Sequence, residues 1–110
     1  MSVVDGEQPP PIHRPGVLSV QQQVITDLAV YSQGQPVAAD IAERERVGIQ
    51  RYGTPLQPGN GRSMIRDAYD ENLDLVIYLR GAITEQGETE DLVLAYDRAI
   101  NLAIQIREML

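Results

Sequence analysis

Four stretches of this chain repeat apolar residues at intervals of three and four, with Gly and Pro set between them. That punctuation leaves room for little but helices of modest length. The first stretch opens at Ser19, a residue type that caps helix N-termini. Val20, Val24, Leu28 and Tyr31 follow at helical spacing, with Ile25 beside them, and Gly34 is expected to end the helix. The second has Pro36 in or near its first turn, then Val37, Ile41, Val47 and Ile49, and closes at Tyr52-Gly53. Pro55, Pro58, Gly59 and Gly61 make residues 54–61 a loop. The third starts at Ser63 as N-cap and runs toward Glu85, stopping near Gly87. Thr89 caps the fourth, whose Glu90 and Asp91 sit where the helix dipole favours anions and whose Arg107 lies near the negative end. No sustained period-two alternation and no internal repeat occurs. The expectation is an all-α four-helix bundle over residues 17–110.

Residues 1–16 precede it as an extended arm. They hold Pro9, Pro10, Pro11 and Pro15, with Gly6 and Gly16. A proline triplet lacks backbone donors and favours polyproline II. Such an arm is read as a mobile tail or, less readily, as a strap that docks on a neighbouring subunit.

With 110 residues the chain makes a single domain, and its core must be aliphatic, because all five aromatics are Tyr. The absence of Cys excludes disulfides, thiolate catalysis and Cys-based zinc sites, and one His excludes a multi-histidine metal site within one chain. No apolar run approaches the roughly 20 residues of a membrane span, and no secretory signal opens the chain, so the cytoplasm is the default compartment. A net charge of −7 argues against a duplex nucleic-acid partner. It does not argue against phosphorylated ligands. All nine basic residues are Arg, each able to grip phosphate in a bidentate, planar fashion.

The third and fourth helices are apolar over more than one stripe. Ile65, Ala68, Val76, Leu79 and Ile83 form one line of the third, with Leu73, Leu75 and Ile77 beside it; the fourth adds Val93, Ile100 and Ile104 to its main stripe. One small bundle needs a single stripe per helix. The surplus predicts a second copy as partner, in a homodimer or homotetramer.

Chemistry concentrates in three places. Asp67, Asp70, Glu71 and Asp74 crowd two turns of the third helix, where like charges repel by a few tenths of a kcal/mol per pair. Bound Mg²⁺ would repay that cost, and a solvated acidic face is the bland alternative. Apolar neighbours and Tyr78 one turn on suggest a place near the bundle interior. On the second helix Asp40 and Glu43 share a face and could complete a metal cradle, whereas Glu45 is expected in ordinary surface pairing with Arg. The loop between these helices brings Arg51, Tyr52 and Arg62 to a helix N-terminus, an anion site in kind, with a Tyr ring able to stack on a base.

These residues carry a resemblance. Glu71-Asn72-Leu73-Asp74 is similar to the E-x-x-D of the all-α nucleoside triphosphate pyrophosphohydrolases, the MazG-like superfamily. The wider string looks like the small MazG-like proteins of phage genomes. Their R-x-x-x-G-x-x-[KR]-Y-G-x-P-L, N-G-R-[DS] and D-A-Y-x-E-x-x-D-x-x-x-Y-L-R segments read here as Arg44 through Leu56, Asn60 to Ser63, and Asp67 through Arg80. The resemblance covers about residues 40–83. It implies an oligomeric helical bundle and Mg²⁺ held by acids of two helices. It also implies hydrolysis of a nucleoside triphosphate to the monophosphate and pyrophosphate. Glu71 and Asp74 carry over directly as metal ligands. The superfamily's E-E-x-x-E is missing from the second helix, where Asp40 and Glu43 stand in, and Ser63 replaces a commoner Asp. Asp70 or Asp67 would orient the attacking water, and Arg51, Arg62 and Arg66 would bind phosphate.

A second reading keeps the scaffold without turnover: a protein that sequesters a nucleotide signal, as a phage anti-defence sponge would. A third is a purely structural helical oligomer. Four carboxylates converging from two helices would favour hydrolysis; arginines and Tyr lining the pocket would favour sequestration.

Overall fold

The structure, a computed structural model, describes residues 8–110; residues 1–7 of the expected arm, Gly6 among them, lie outside the described residues. Four helices follow one another: α1 (Val20–Leu28), α2 (Gly34–Tyr52), α3 (Met64–Gln86) and α4 (Glu90–Glu108). No strand occurs among the described residues, and none of their helices is long and apolar enough to cross a membrane. The all-α class is therefore as expected. The chain divides into two compact units, residues 8–62 and residues 63–110. The first packs α1 on α2 and the second packs α3 on α4.

Within residues 8–62, Ser19 caps α1 by accepting from the Gln22 amide at 3.2 Å. Its hydroxyl proton goes to Glu45 Oε2, 2.5 Å away on α2, and Gln22 Nε2 donates to the other carboxylate oxygen at 2.6 Å. Glu45 thus ties α1 to α2 and, against the expectation of a surface pair with Arg, takes its two partners from α1. The helix start and the helix–helix contact share one side chain.

α1 stops at Leu28 instead of reaching Gly34. Three-residue turns take over: Ala29 N–H bonds the Thr26 carbonyl, Tyr31 N–H that of Leu28, and Gly34 N–H that of Tyr31. Tyr31 keeps helical spacing in the sequence yet stands exposed, so periodicity alone overran the helix. Gly34 opens α2 and is buried there. Its φ is not positive. A Cβ at this position would collide with the Leu28 carbonyl oxygen, so glycine serves the close approach of the two helix ends. α2 closes at Gly53, whose φ of 77° is the left-handed cap expected of Tyr52-Gly53.

Over its described length the arm docks on its own chain. Residues 9–17 lie along residues 56–62 of the same chain. Gln57, only 2% exposed, accepts from Arg14 N at 2.8 Å and donates to the carbonyls of Arg14 and Val17 at 2.6 and 2.9 Å. Ile12 N–H bonds the Asn60 carbonyl at 2.9 Å and Val20 N–H that of Leu56 at 2.8 Å. Arg14 reaches the Pro58 carbonyl and Arg62 reaches that of Pro9. A proline run has carbonyls but no donors, so the donors come from Ile12, Arg14 and the arginine side chains.

Within residues 63–110, Ser63 and Thr89 cap α3 and α4 through the amides of Arg66 and Leu92. Gly87 ends α3, its N–H bonding the Ile83 carbonyl at 2.8 Å. Ile83, Ala99 and Ile106 are buried between the helices, together with Asn72, whose amide donates to the Ala99 carbonyl at 3.0 Å. Much of the apolar surplus stays uncovered: Leu75, Ile77, Leu102, Ile104 and Met109 are all exposed.

Gly34→Ala tests the close approach at the α1–α2 turn. The obstructing atom is backbone and cannot swing away, so the variant should lose about 1–3 kcal/mol of unfolding free energy, the usual cost of overpacking. Urea denaturation reading parent-like stability would show that the turn has slack.

Candidate functional site

α2 carries the candidate site. A depression of about 420 Å³ runs along it, lined by Arg44, Val47, Gly48, Arg51 and Tyr52, with Asp40 and Glu43 toward its N-terminal end. Positions 44, 48, 51 and 52 fall at spacings of four, three and one, which keeps them on one face of a helix. Because the helix rises about 1.5 Å per residue, Arg44 and Arg51 stand roughly 10 Å apart along its axis, with Gly48 between them. Arg44, Arg51 and Tyr52 are exposed. The Arg51 guanidinium carbon lies 5.7 Å from the Tyr52 ring centroid, within reach of a cation–π attraction that holds both groups to the rim.

Gly48 is the unusual lining residue. A glycine inside a helix costs roughly 0.5–1 kcal/mol relative to alanine. Neither a positive φ nor a crowded neighbour requires it: a Cβ built there meets nothing within 4 Å. At Gly48 the depression is lined by helix backbone with no side chain over it.

Glu43 is already engaged. Arg46 Nη2 stands 2.5 Å from Glu43 Oε1, and Arg46 Nε lies 3.0 Å from both carboxylate oxygens. The hydrogen bonds from Arg46, helped by its charge, hold the Glu43 carboxyl below its ordinary value, and Glu43 in turn raises Arg46. Asp40, by contrast, takes part in no hydrogen bond or ion pair among the described residues.

The acids of α3 lie in the other compact unit. Glu71 and Asp74 are exposed, as is Tyr78 at 75%, whereas Asp67, Asp70 and Arg66 are half-buried. The expected place near a bundle interior does not hold for Glu71, Asp74 and Tyr78. The residue of this turn that faces inward is Asn72. No group of three or more His, Asp or Glu able to hold a metal ion occurs among the described residues. Arg62, expected at the ligand, spends one guanidinium nitrogen on the Pro9 carbonyl at 2.8 Å and so helps fasten the arm. Asn60 is 1% exposed and turns its side-chain oxygen to the Arg62 amide at 3.1 Å.

Of the expected site residues, Asp40, Glu43, Arg51 and Tyr52 come together on α2. Arg44, Val47 and Gly48 were missed as site residues. Their signal was present in the R-x-x-x-G-x-x-R-Y spacing, which marks one stripe of a helix when Arg44 and Gly48 are read with Arg51 and Tyr52. No protein-family model, curated protein or solved structure matches the chain.

The Glu43–Arg46 pair is fully exposed, so its effect on stability should be small. A lowered carboxyl contributes above its unfolded-state value and loses that contribution as pH falls through the folded value. Glu43→Gln should therefore leave the melting temperature at pH 7 within about 1 °C of the parent, as expected for an exposed pair. Differential scanning calorimetry at pH 7 and pH 3 checks it; a marked loss at pH 7 alone would give the pair a structural role.

Proposed function

We propose that the protein binds a nucleotide, or a closely related phosphorylated small molecule with a planar ring, along the exposed face of α2. The observation that carries this reading is the pairing of Arg44 and Arg51 with Tyr52 around one depression, with neither guanidinium held by a carboxylate among the described residues. Guanidiniums grip phosphate bidentately and an exposed Tyr ring stacks on a base. Of the two acids at the N-terminal end of the depression, Glu43 is paired with Arg46, which leaves Asp40 as the one unpaired carboxylate facing Arg44 and Arg51 among the described lining residues. Of the two nucleotide readings open from the sequence, binding without obligatory turnover is the one these residues support most directly, and sequestration of a nucleotide signal follows from it.

Hydrolysis is the fuller alternative, and one observation favours it. Glu71 and Asp74 lie one turn apart on α3, exposed and engaged in no hydrogen bond or ion pair among the described residues. Two such carboxylates suit Mg²⁺, which takes one or two of them together with phosphate oxygens and water. Asp40 suits it equally in chemistry, and Glu43 fits poorly because Arg46 holds its carboxylate. Bound there, Mg²⁺ would screen phosphate charge and lower the pKa of a coordinated water. Glu71 and Asp74 would hold the ion, Asp70 or Asp67 would orient the water, and Arg66 in the first turn of α3 would meet the phosphates.

We further infer that two or more copies associate through α3 and α4. Ile77 is 65% and Ile104 56% exposed, and the apolar residues that the helix pair buries, among the described residues, are Ile83, Ala99 and Ile106. Apolar area left in water forgoes about 25 cal/mol per Å² that a partner would recover.

Calorimetric titration with a panel of ribo- and deoxyribonucleoside mono- and triphosphates, with and without Mg²⁺, tests the binding reading. Arg51→Ala should weaken binding by about 1.5–3 kcal/mol, the range for a hydrogen bond to a charged group. A parent protein that binds no member of the panel at millimolar concentration overturns the reading. Chromatography of the same mixtures tests turnover: Glu71→Gln should abolish any hydrolysis while the melting temperature holds or rises, because acidic repulsion is relieved. Light scattering tests association, with a stable monomer at micromolar concentration as the contrary result. Ile104→Glu should dissociate or unfold the assembly, since burying an unpaired charge costs several kcal/mol.

A further inference from the structure

We propose that Gly48 is the specificity-determining position of the α2 site, the place where a flat heteroaromatic ring of the ligand lies directly against the helix backbone. The inference rests on the nucleotide reading of this face and goes one step past it, to the part of the ligand that meets the floor. Three observations support it. Gly48 lines the depression between Arg44 and Arg51. Its backbone is ordinary right-handed helix and nothing stands within 4 Å of a Cβ placed on it. No feature of the chain's own folding therefore calls for glycine, in contrast to Gly34, where the Leu28 carbonyl leaves no room, and Gly53, where φ is positive.

The chemistry selects a ring over a phosphate at this point. Amides in the middle of a helix are spent on the helix's own hydrogen bonds, so bare backbone offers an anion no donors. It does offer a flat, weakly polar surface that a planar group can approach more closely than any side chain would allow. Arg44 precedes Gly48 by one turn, and Arg51 and Tyr52 follow it by one turn. Guanidinium and phenol planes are the groups on which bases stack. Gly81 in α3 is equally uncrowded, but Ile77, Tyr78, Thr84 and Glu85 surround it at helical spacing, and the adjacent Arg80 turns its guanidinium to the Thr84 hydroxyl at 3.3 Å. The phosphates then extend from the ring toward a guanidinium at either end of the groove.

Gly48→Ala separates the ligand's demand from the fold's. Alanine is the better helix former and meets no obstruction, so the melting temperature should rise by roughly 2–6 °C. Affinity for whichever nucleoside triphosphate of the panel binds the parent should fall at least about tenfold by calorimetry. Inorganic tripolyphosphate, which has the charges and no ring, should bind parent and variant alike. A variant that binds the nucleotide as tightly as the parent overturns the inference and leaves the nucleotide reading standing. A variant that loses tripolyphosphate and nucleotide in equal measure also overturns it, by making the floor a phosphate contact. A melting temperature that falls would assign Gly48 to packing against a second copy of the chain and overturn it as well. A parent that binds no nucleotide removes the reading on which the inference stands.

Discussion

The side-chain amide of Gln57 is the point on which the first compact unit depends. It is nearly inaccessible, and its three hydrogen bonds bring residues 14–17 onto the loop after α2. A buried amide left without partners costs about 1–3 kcal/mol for each lost bond, so the loop and the arm must form together or not at all. That docking delivers Ser19 to the start of α1, where one hydroxyl both caps the helix and bonds Glu45. α2 is thus located through a chain of polar contacts in a unit whose buried residues are Ser19, Gly34, Gln57 and Asn60. Directional bonds set the geometry here where aliphatic packing would be expected to.

Committing Glu45 to α1 and Glu43 to Arg46 has a consequence for charge. A chain with −7 overall would be expected to pair its scarce cations with abundant carboxylates. On α2 Glu43 is instead absorbed by Arg46 and Glu45 by α1, while Arg44 and Arg51 line the depression with the unpaired Asp40 at its N-terminal end. Composition argued against a duplex nucleic-acid partner; it said nothing about two guanidiniums one turn to either side of a glycine.

The second compact unit shows the opposite economy. α3 and α4 are capped by side chains at both N-termini and end in ordinary ways, yet three apolar residues are fully buried between them. Asn72 occupies an interior position and spends its amide on the Ala99 carbonyl, which pins the register of α3 against α4. Leu75, Ile77, Leu102 and Ile104 remain outside that contact. A pair of helices has one shared seam and cannot cover more than one stripe of each.

Helix starts were legible in the sequence because they are local. Ser19, Ser63 and Thr89 each accept from an amide three residues ahead, a relation that depends on nothing distant. The stops at Gly53, in the left-handed conformation, and at Gly87, with φ of 94°, were legible for the same reason. The end of α1 was not. Tyr31 keeps the apolar spacing, while the turn at 29–33 and the burial of Gly34 follow from α2 folding back on α1. Nor was the arm: its prolines signal extension, but its place is set by Gln57 and Asn60 more than 40 residues away. For the site, the spacing of Arg44, Gly48, Arg51 and Tyr52 held them to one stripe, but the sequence reading took up only Arg51 and Tyr52 of the four. Tertiary structure decided that Glu45 turns to α1, that Arg62 turns to Pro9, and that Glu71 and Asp74 face outward. Backbone rules act within a turn and can be read from neighbours; the partner of a charged side chain depends on what the whole fold brings within hydrogen-bonding distance.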